Sequence, residues 1–380
     1  MGTESRFCRW GILGSASIAM KNWHAILNAG NSRLVAVGSR SIASAQRFID
    51  VCQASAPAPE EVEAVEGYEA LIARQDIDAL YIPLPTAVRT EWAIKAARAG
   101  KHIVIEKPCA VSAEDLRLIL AAAENSGVQV TDGSMFPHSA RLPALRAVLD
   151  DGESIGDIRR IATHFSFVGD PDWVERNSII EPAGCLGDVG WYNIRLILFA
   201  LGYELPAAVR GRTLQGITRA DGSGVTPTEF EGELVFANGV TATLYNAFGT
   251  SRQQWAYISG NKGYLHMKDF VLPHYGNNVS FTVSNDSFGG SGCFFNLERH
   301  ERTVSLREYS NNHPTAQETK LYRGFADLVL SGKREPFWPE VALKTQRVLD
   351  ALLASAEGDG SPVNLAEEPV QKQSQRQLPG

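Results

Sequence analysis

The sequence predicts an α/β fold in two parts. An N-terminal, doubly wound parallel sheet comes first, and a C-terminal α+β part with a large, mostly antiparallel open sheet follows. Three observations carry this. Short apolar runs alternate with helical patterns over roughly the first 130 residues, the signature of βαβ units. Strand then follows strand after about Gly156. Finally, 380 residues with 44% hydrophobic content suit two domains with a sizeable core.

The elements follow in order. Phe7 to Leu13 and Leu34 to Ser39 read as strands, with a helix over Ser17 to Ala29 between them. A weak strand is expected at Val62 to Val65, and buried strands at Ala79 to Ile82 and His102 to Ile105. The helix Thr86 to Ala99 has Thr86 as expected N-cap and Gly100 as stop. Ser112 to Asn125 is helical, and Val128 to Thr131 closes the parallel series. Beyond Gly156, strands are expected at Ile158 to Phe167, Ala207 to Leu214, Glu229 to Phe236 and Val240 to Phe248. The last two are joined by the turn Ala237-Asn238-Gly239, so antiparallel pairing is expected. Helices near Ala316 to Ser331 and Glu340 to Ala356 pack back on both parts. The expected domains are residues 1–135 and 136–357. The Pro-, Gln- and Glu-rich stretch 358–380 is expected to be a disordered tail.

Composition excludes several functions. A net charge of −7 speaks against a nucleic-acid binder. No apolar run reaches the roughly 18 residues of a membrane span. Five cysteines without a CxxC pair suggest a reduced protein, and Met1 to Arg9 lack a signal-peptide core, so a cytoplasmic location is expected. The histidines show no metal-like pairing, and no metal is expected.

The first strand runs into Gly11-Ile-Leu-Gly14-Ser15-Ala16-Ser17-Ile18-Ala19 and then a helix. A glycine turn there offers backbone N–H groups and a helix N-terminus to a pyrophosphate. The match to Gly-x-Gly-x-x-Gly is partial, because Ala16 puts a methyl where the backbone should approach the phosphate. Taken alone, the loop could be a plain strand–helix turn. The second strand sharpens the reading. Where a carboxylate would hold the ribose of NAD, this chain has Ser39-Arg40-Ser41. A guanidinium flanked by two hydroxyls suits the 2′-phosphate of NADP, so NADP is expected over NAD. The competing reading is a capping Ser41 beside a solvated Arg40.

The most specific string is Ile103-Val-Ile-Glu106-Lys107-Pro108. With Tyr81-Ile-Pro83-Leu84-Pro85-Thr86, Gly184-Cys-Leu-Gly187-Asp188-Val-Gly190-Trp191-Tyr192 and Ile258-Ser-Gly260-Asn-Lys-Gly263, it resembles the Gfo/Idh/MocA oxidoreductases over about residues 6 to 357. Within that family the string around Tyr192 is similar to dimeric dihydrodiol dehydrogenases and NADP-dependent D-xylose dehydrogenases. The resemblance implies a Rossmann NADP-binding domain, a cis Lys107–Pro108 bond, and a homodimer formed through the open sheet. It further implies hydride transfer between nicotinamide and a hydroxyl or carbonyl carbon of a sugar, polyol or trans-diol. It places Pro83, Leu84, Thr86, Glu106 and Lys107 at the cofactor.

The chemistry is consistent. Removing a hydride requires the adjacent hydroxyl to lose its proton, so the site needs a proton carrier and a positive charge. Lys107, at the carboxyl end of a parallel strand, fits the charge. Asp188 and Tyr192, spaced i, i+4, share a helix face; the resemblance implies Tyr192 as general acid/base, and an adjacent Lys107 would lower its pKa. Asp188 would orient Lys107 or bind a substrate hydroxyl. Phe136, His138, Trp173 and Trp191 are expected around the substrate, although core packing explains the two tryptophans equally well. Arg195 reads as structural. The alternative is a non-catalytic NADP-binding regulator of the same fold, against which the intact Lys107, Asp188 and Tyr192 speak.

Overall fold

The computed structural model describes residues 6–365. Six strands form the first sheet: β1 (Cys8–Leu13), β2 (Ser32–Ser39), β3 (Glu63–Glu66), β4 (Ala79–Ile82), β5 (His102–Ile105) and β6 (Val130–Asp132). All pair in parallel, in the order β3-β2-β1-β4-β5-β6. The order reverses between β1 and β4, where open α/β sheets bind ligands. The crossovers are α1 (Ile18–Asn28), α2 (Ile42–Ser55), α3 (Tyr68–Ile72), α4 (Thr86–Arg98) and α5 (Ala113–Asn125).

Local chemistry sets these boundaries. Ser41 and Ser112 cap α2 and α5 by accepting from Ser44 N and Asp115 N. Gly100, at φ +76°, ends α4. Thr86 is not the N-cap of α4. It is the first helical residue, and its amide donates to Glu181 Oε1 at 3.1 Å. The orphan amide is thus satisfied by a carboxylate 95 residues away, which local pattern does not reveal.

The chain then forms α6 (Arg141–Asp150), β7 (Ile158–Val168), α7 (Pro171–Asn177), a π-helical turn at Leu186–Gly190, and α8 (Trp191–Ala200). Strands β8 (Ala208–Thr218), β9 (Val225–Val235), β10 (Thr241–Ala247), β11 (Gly249–Gly260), β12 (Tyr264–Met267) and β13 (Asn278–Ser284) follow. A hairpin, β14 (Ser287–Ser291) and β15 (Phe294–Glu298), precedes β16 (Glu301–Arg307). Two helices, α9 (Gln317–Ser331) and α10 (Phe337–Glu357), and β17 (Val363–Asn364) complete the fold.

The second sheet has nine strands in the order β16-β13-β12-β11-β7-β10-β9-β8-β17. It is antiparallel except for β10 beside β7. The sheet is thus mostly antiparallel, as expected, with one parallel pair. The Asn238-Gly239 turn does make β9 and β10 a hairpin, but β10 then lies beside a strand from much earlier in the chain.

The inner face of this sheet, through Ile161, Phe165, Leu244 and Ile258, shares one core with α8 and α10. A second core lies under α1, α2 and α9, where Trp10 meets Tyr322 and Phe325. The tail expectation needs correction at its start: Val363 and Asn364 pair with Val209 and Ala208, and Leu365 is buried. An alternating Val-Asn-Leu finds the edge of β8 despite polar surroundings. Residues 366–380 lie outside the described residues. Among those described, no helix is long and apolar enough to cross a membrane.

Candidate active site

A cleft of about 850 Å³ opens between the carboxyl ends of the parallel strands and the second sheet. Ala16, Ser17 and Ile18 line it from the first loop, Pro83 to Thr86 from the end of β4, and Glu106 to Pro108 from the end of β5. Asp188 and Tyr192 face them from the π turn and α8, with Phe165 of β7 and Trp173 of α7.

The glycine loop is held from both sides. Gly14 has φ +122°, and a Cβ there would sit 2.9 Å from Leu84 Cδ2. Only glycine lets the loop pass this close to the β4 loop. Ser15 Oγ lies 3.2 Å from Ser39 Oγ, joining the loop to the end of β2. Helix α1 starts at Ile18; the amides of Ala19 and Met20 donate to the carbonyls of Ala16 and Ser17 at 2.9 and 3.1 Å, while among the described residues the amide of Ile18 takes no protein acceptor and stays open to an anion. Arg40 follows Ser39 and is exposed. It does not line the cleft, Ser39 is buried against Ser15, and Ser41 is the α2 cap. The two flanking hydroxyls expected to assist Arg40 are therefore committed elsewhere.

Behind Lys107, Glu106 is buried. Its Oε1 accepts from Tyr81 at 2.6 Å and from Asn22 at 3.3 Å, and its Oε2 from Lys107 N at 3.2 Å. The Lys107–Pro108 bond is cis. Lys107 Nζ donates to Asp188 Oδ1 at 2.6 Å and to the Asp188 carbonyl at 2.7 Å. It stands 5.0 Å from the Tyr192 ring centroid. Burial alone would lower its pKa, but the charges of Asp188, Tyr192 and Glu106 outweigh it and hold Lys107 above its ordinary value.

The π turn brings Asp188 here. A Cβ on Gly187 would stand 2.7 Å from Ala183 Cβ and 3.3 Å from Pro108 Cγ, and one on Gly190 would stand 2.8 Å from Asn246 Oδ1. The glycines let this turn pack between the β5 loop and β10. Among the described residues no protein group hydrogen-bonds the Tyr192 hydroxyl. Lys107 does act to lower the Tyr192 pKa, but the net shift expected from it toward neutral pH is overturned. Burial is the largest influence and raises it; Lys107 opposes, and the net result is pushed up to about 12.

Comparison with known proteins converges on one family. The GFO/IDH/MocA oxidoreductase model with an NAD-binding Rossmann fold matches residues 8–134, and the corresponding C-terminal domain model matches residues 143–266. The chain belongs to the GFO/IDH/MocA oxidoreductases. Among its relatives is the dTDP-3,4-didehydro-2,6-dideoxy-alpha-D-glucose 3-reductase of Actinomadura kijaniata, 28% identical over 92% of this chain and 95% of the relative. Another is a D-xylose 1-dehydrogenase (NADP(+)) of Haloferax volcanii, 27% identical over 94% and 99%. The structure of an A. kijaniata 3-ketoreductase with NADP and TDP-benzene superposes with a TM-score of 0.75, at 28% identity over 92% of this chain and 98% of that one.

Three residues of this oxidoreductase expected around the substrate lie elsewhere. Trp191 is fully buried and donates to Ser134 Oγ at 2.9 Å, a core role. His138 packs on the Trp338 ring at 4.7 Å, outside the cleft lining, and burial lowers its pKa to about 4. Phe136 is buried behind the site, edge-on to Tyr192 at 6.1 Å. The fold turns these side chains onto neighbouring core or ring partners instead of the cleft. Trp173, half exposed, does line the cleft.

Sequence reasoning missed other residues. Buried Arg89 of α4 donates to the carbonyls of Leu84 at 2.8 Å and Glu106 at 2.8 Å, and also to that of Pro108. It clamps the β4 and β5 loops together. An arginine on a helix otherwise reads as solvated, and only the paired loops would have pointed to it. Lys21, Asn22 and Arg252 also line the cleft.

Proposed function

We propose that this oxidoreductase is NADP(H)-dependent and moves a hydride between nicotinamide and a CH–OH or C=O carbon of a sugar-type substrate, with Tyr192 as general acid/base. One observation carries the reading: in the cleft, Lys107 is held by Asp188 at 5.0 Å from the ring of Tyr192, whose hydroxyl has no protein partner among the described residues. The fit to a dinucleotide rests on the Gly14 approach to Leu84, the open start of α1 and Arg40 past β2. Bound NADP(H) supplies the hydride acceptor or donor. Two relatives that span this chain are by name a dTDP-sugar reductase and a D-xylose dehydrogenase, which supports a sugar as substrate.

The roles follow from the geometry. Asp188 spends two of the three Lys107 N–H donors and fixes the ammonium. The remaining donor steadies negative charge on the substrate oxygen. Tyr192 exchanges the proton of that oxygen. In the free enzyme its pKa of about 12 keeps the phenol protonated at neutral pH, ready to donate in reduction. Oxidation needs the phenolate and should accelerate as pH rises toward that value. The test is turnover of D-xylose, 1,5-anhydro-D-fructose and dTDP-linked keto sugars with NADP(H), across pH. Tyr192→Phe should lower kcat by about 10²–10⁴-fold and abolish the alkaline rise while NADP still binds. Near-normal kcat in that variant would exclude Tyr192 as proton carrier.

The outer face of the nine-stranded sheet supports a homodimer. Tyr245, His164, Trp255, Tyr257 and His266 form a row across β10, β7, β11 and β12, stacked except where Trp255 meets Tyr257 edge-on, with neighbouring centroids 4.8 to 5.6 Å apart. Such a broad aromatic row suits burial against a second copy. Light scattering at micromolar concentration reads the state, and a monomer would remove the dimer.

A further inference from the structure

Lys21 is an anomaly that neither the catalytic pair nor the glycine loop explains. It lies one turn into α1 and lines the cleft with Ser17 and Ile18. Its Nζ donates to the thioether Sδ of Met135 at 2.7 Å, a weak acceptor. Among the described residues no carboxylate pairs with it. Burial lowers its pKa, and the charges of Glu318 and Glu106 only partly offset this. The other ammonium in the cleft, Lys107, has two strong oxygen partners. A desolvated cation facing a thioether costs stability unless a ligand completes it.

The ligand can be narrowed. Helical side chains lean back toward the N-terminus, so Lys21 reaches toward the first turn of its own helix. That turn is where a pyrophosphate would be received. From Gly11 to Met20 the loop contains no cationic side chain, and Ala16 replaces the close-approach glycine. The two negative charges of a pyrophosphate would otherwise meet only backbone amides. We infer that Lys21 is the cationic side chain that binds the dinucleotide pyrophosphate, supplementing a weakened glycine loop. This rests on the NADP reading of the same cleft. Met135 serves as a soft resting contact, which the ammonium leaves at little cost.

Lys21→Met, Lys21→Arg and the wild type would be titrated with NADP and, separately, with adenosine 2′-phosphate, which lacks the pyrophosphate. Intrinsic fluorescence or calorimetry gives each Kd, and thermal unfolding gives stability. Lys21→Met should weaken NADP by roughly 10- to 100-fold, the size of a charge-assisted hydrogen bond. Adenosine 2′-phosphate should bind as in the wild type, Lys21→Arg should restore most NADP affinity, and the midpoint of Lys21→Met should not fall. An NADP Kd within threefold of wild type would overturn the inference. Equal weakening of both ligands, or a lowered midpoint, would do so too, since Lys21 would then be structural. A wild type that binds no NADP would instead remove the underlying cofactor reading.

Discussion

Two cation–carboxylate pairs use the same short stretch of chain, and they differ in everything but length. Lys107 pairs with Asp188 of the π turn at 2.6 Å, and Arg195 of α8 pairs with Asp132 at 2.5 Å. The second is dry: the two side chains are 1% and 2% exposed. Arg195 also donates to Thr345 Oγ1 at 2.8 Å and lies 5.5 Å over the Trp191 ring, so it ties β6, α8 and α10 together. In the first, Asp188 is 44% exposed and one Lys107 donor is uncommitted. A short charged pair therefore does not mark a site by itself. Access and an unspent donor separate the pair proposed to act in catalysis from the buried one.

The sharpest test of that contrast is to cut each pair from its cationic side. Lys107→Met should lower kcat by about 10²–10⁴-fold, as expected for a group that acts on the transferred proton and its oxygen. Its denaturation midpoint should stay near wild type, because Asp188 can turn to water. Combined with Tyr192→Phe, the loss should be far less than the product of the two, since groups acting as one unit are not additive. Arg195→Met should do the reverse. It leaves Asp132 buried without its partner, at a cost of about 3–5 kcal/mol, read as a large fall in the urea midpoint. Equal unfolding by both variants would erase the distinction.

The same contrast explains what the sequence made legible. Strands β4 and β5 were readable to the residue, because a parallel strand buried on both faces is a continuous apolar run ended by Pro83 or by Lys107-Pro108. Asp188 and Tyr192 were readable from a spacing that the π turn and α8 convert into neighbours in the cleft. Trp191 and His138 were not, because an aromatic next to a site residue has the same local signature whether it points into the cleft or into the core. Arg89 and Glu181 were invisible for another reason: each acts on a segment brought near only by the fold. The parallel register of β10 beside β7 belongs to that same class.

Arg40 extends the comparison to a cation in solvent, and it should give the smallest of these effects. Among the described residues it has neither the carboxylate of Arg195 nor the cleft of Lys107, and Ser39 and Ser41 are spent on the loop and the α2 cap. Any preference for NADP through this position must therefore come from the guanidinium alone. Arg40→Asp exchanges attraction for repulsion toward a 2′-phosphate, worth about 2–4 kcal/mol, or roughly 30- to 1000-fold in the ratio of NADP to NAD affinity. Because Arg40 is exposed, the effect should shrink as salt is raised, unlike any change at Arg195. Stability should hold, since α2 keeps its Ser41 cap. Fluorescence titration with both cofactors at two ionic strengths measures it. An unchanged ratio would move 2′-phosphate recognition away from the end of β2.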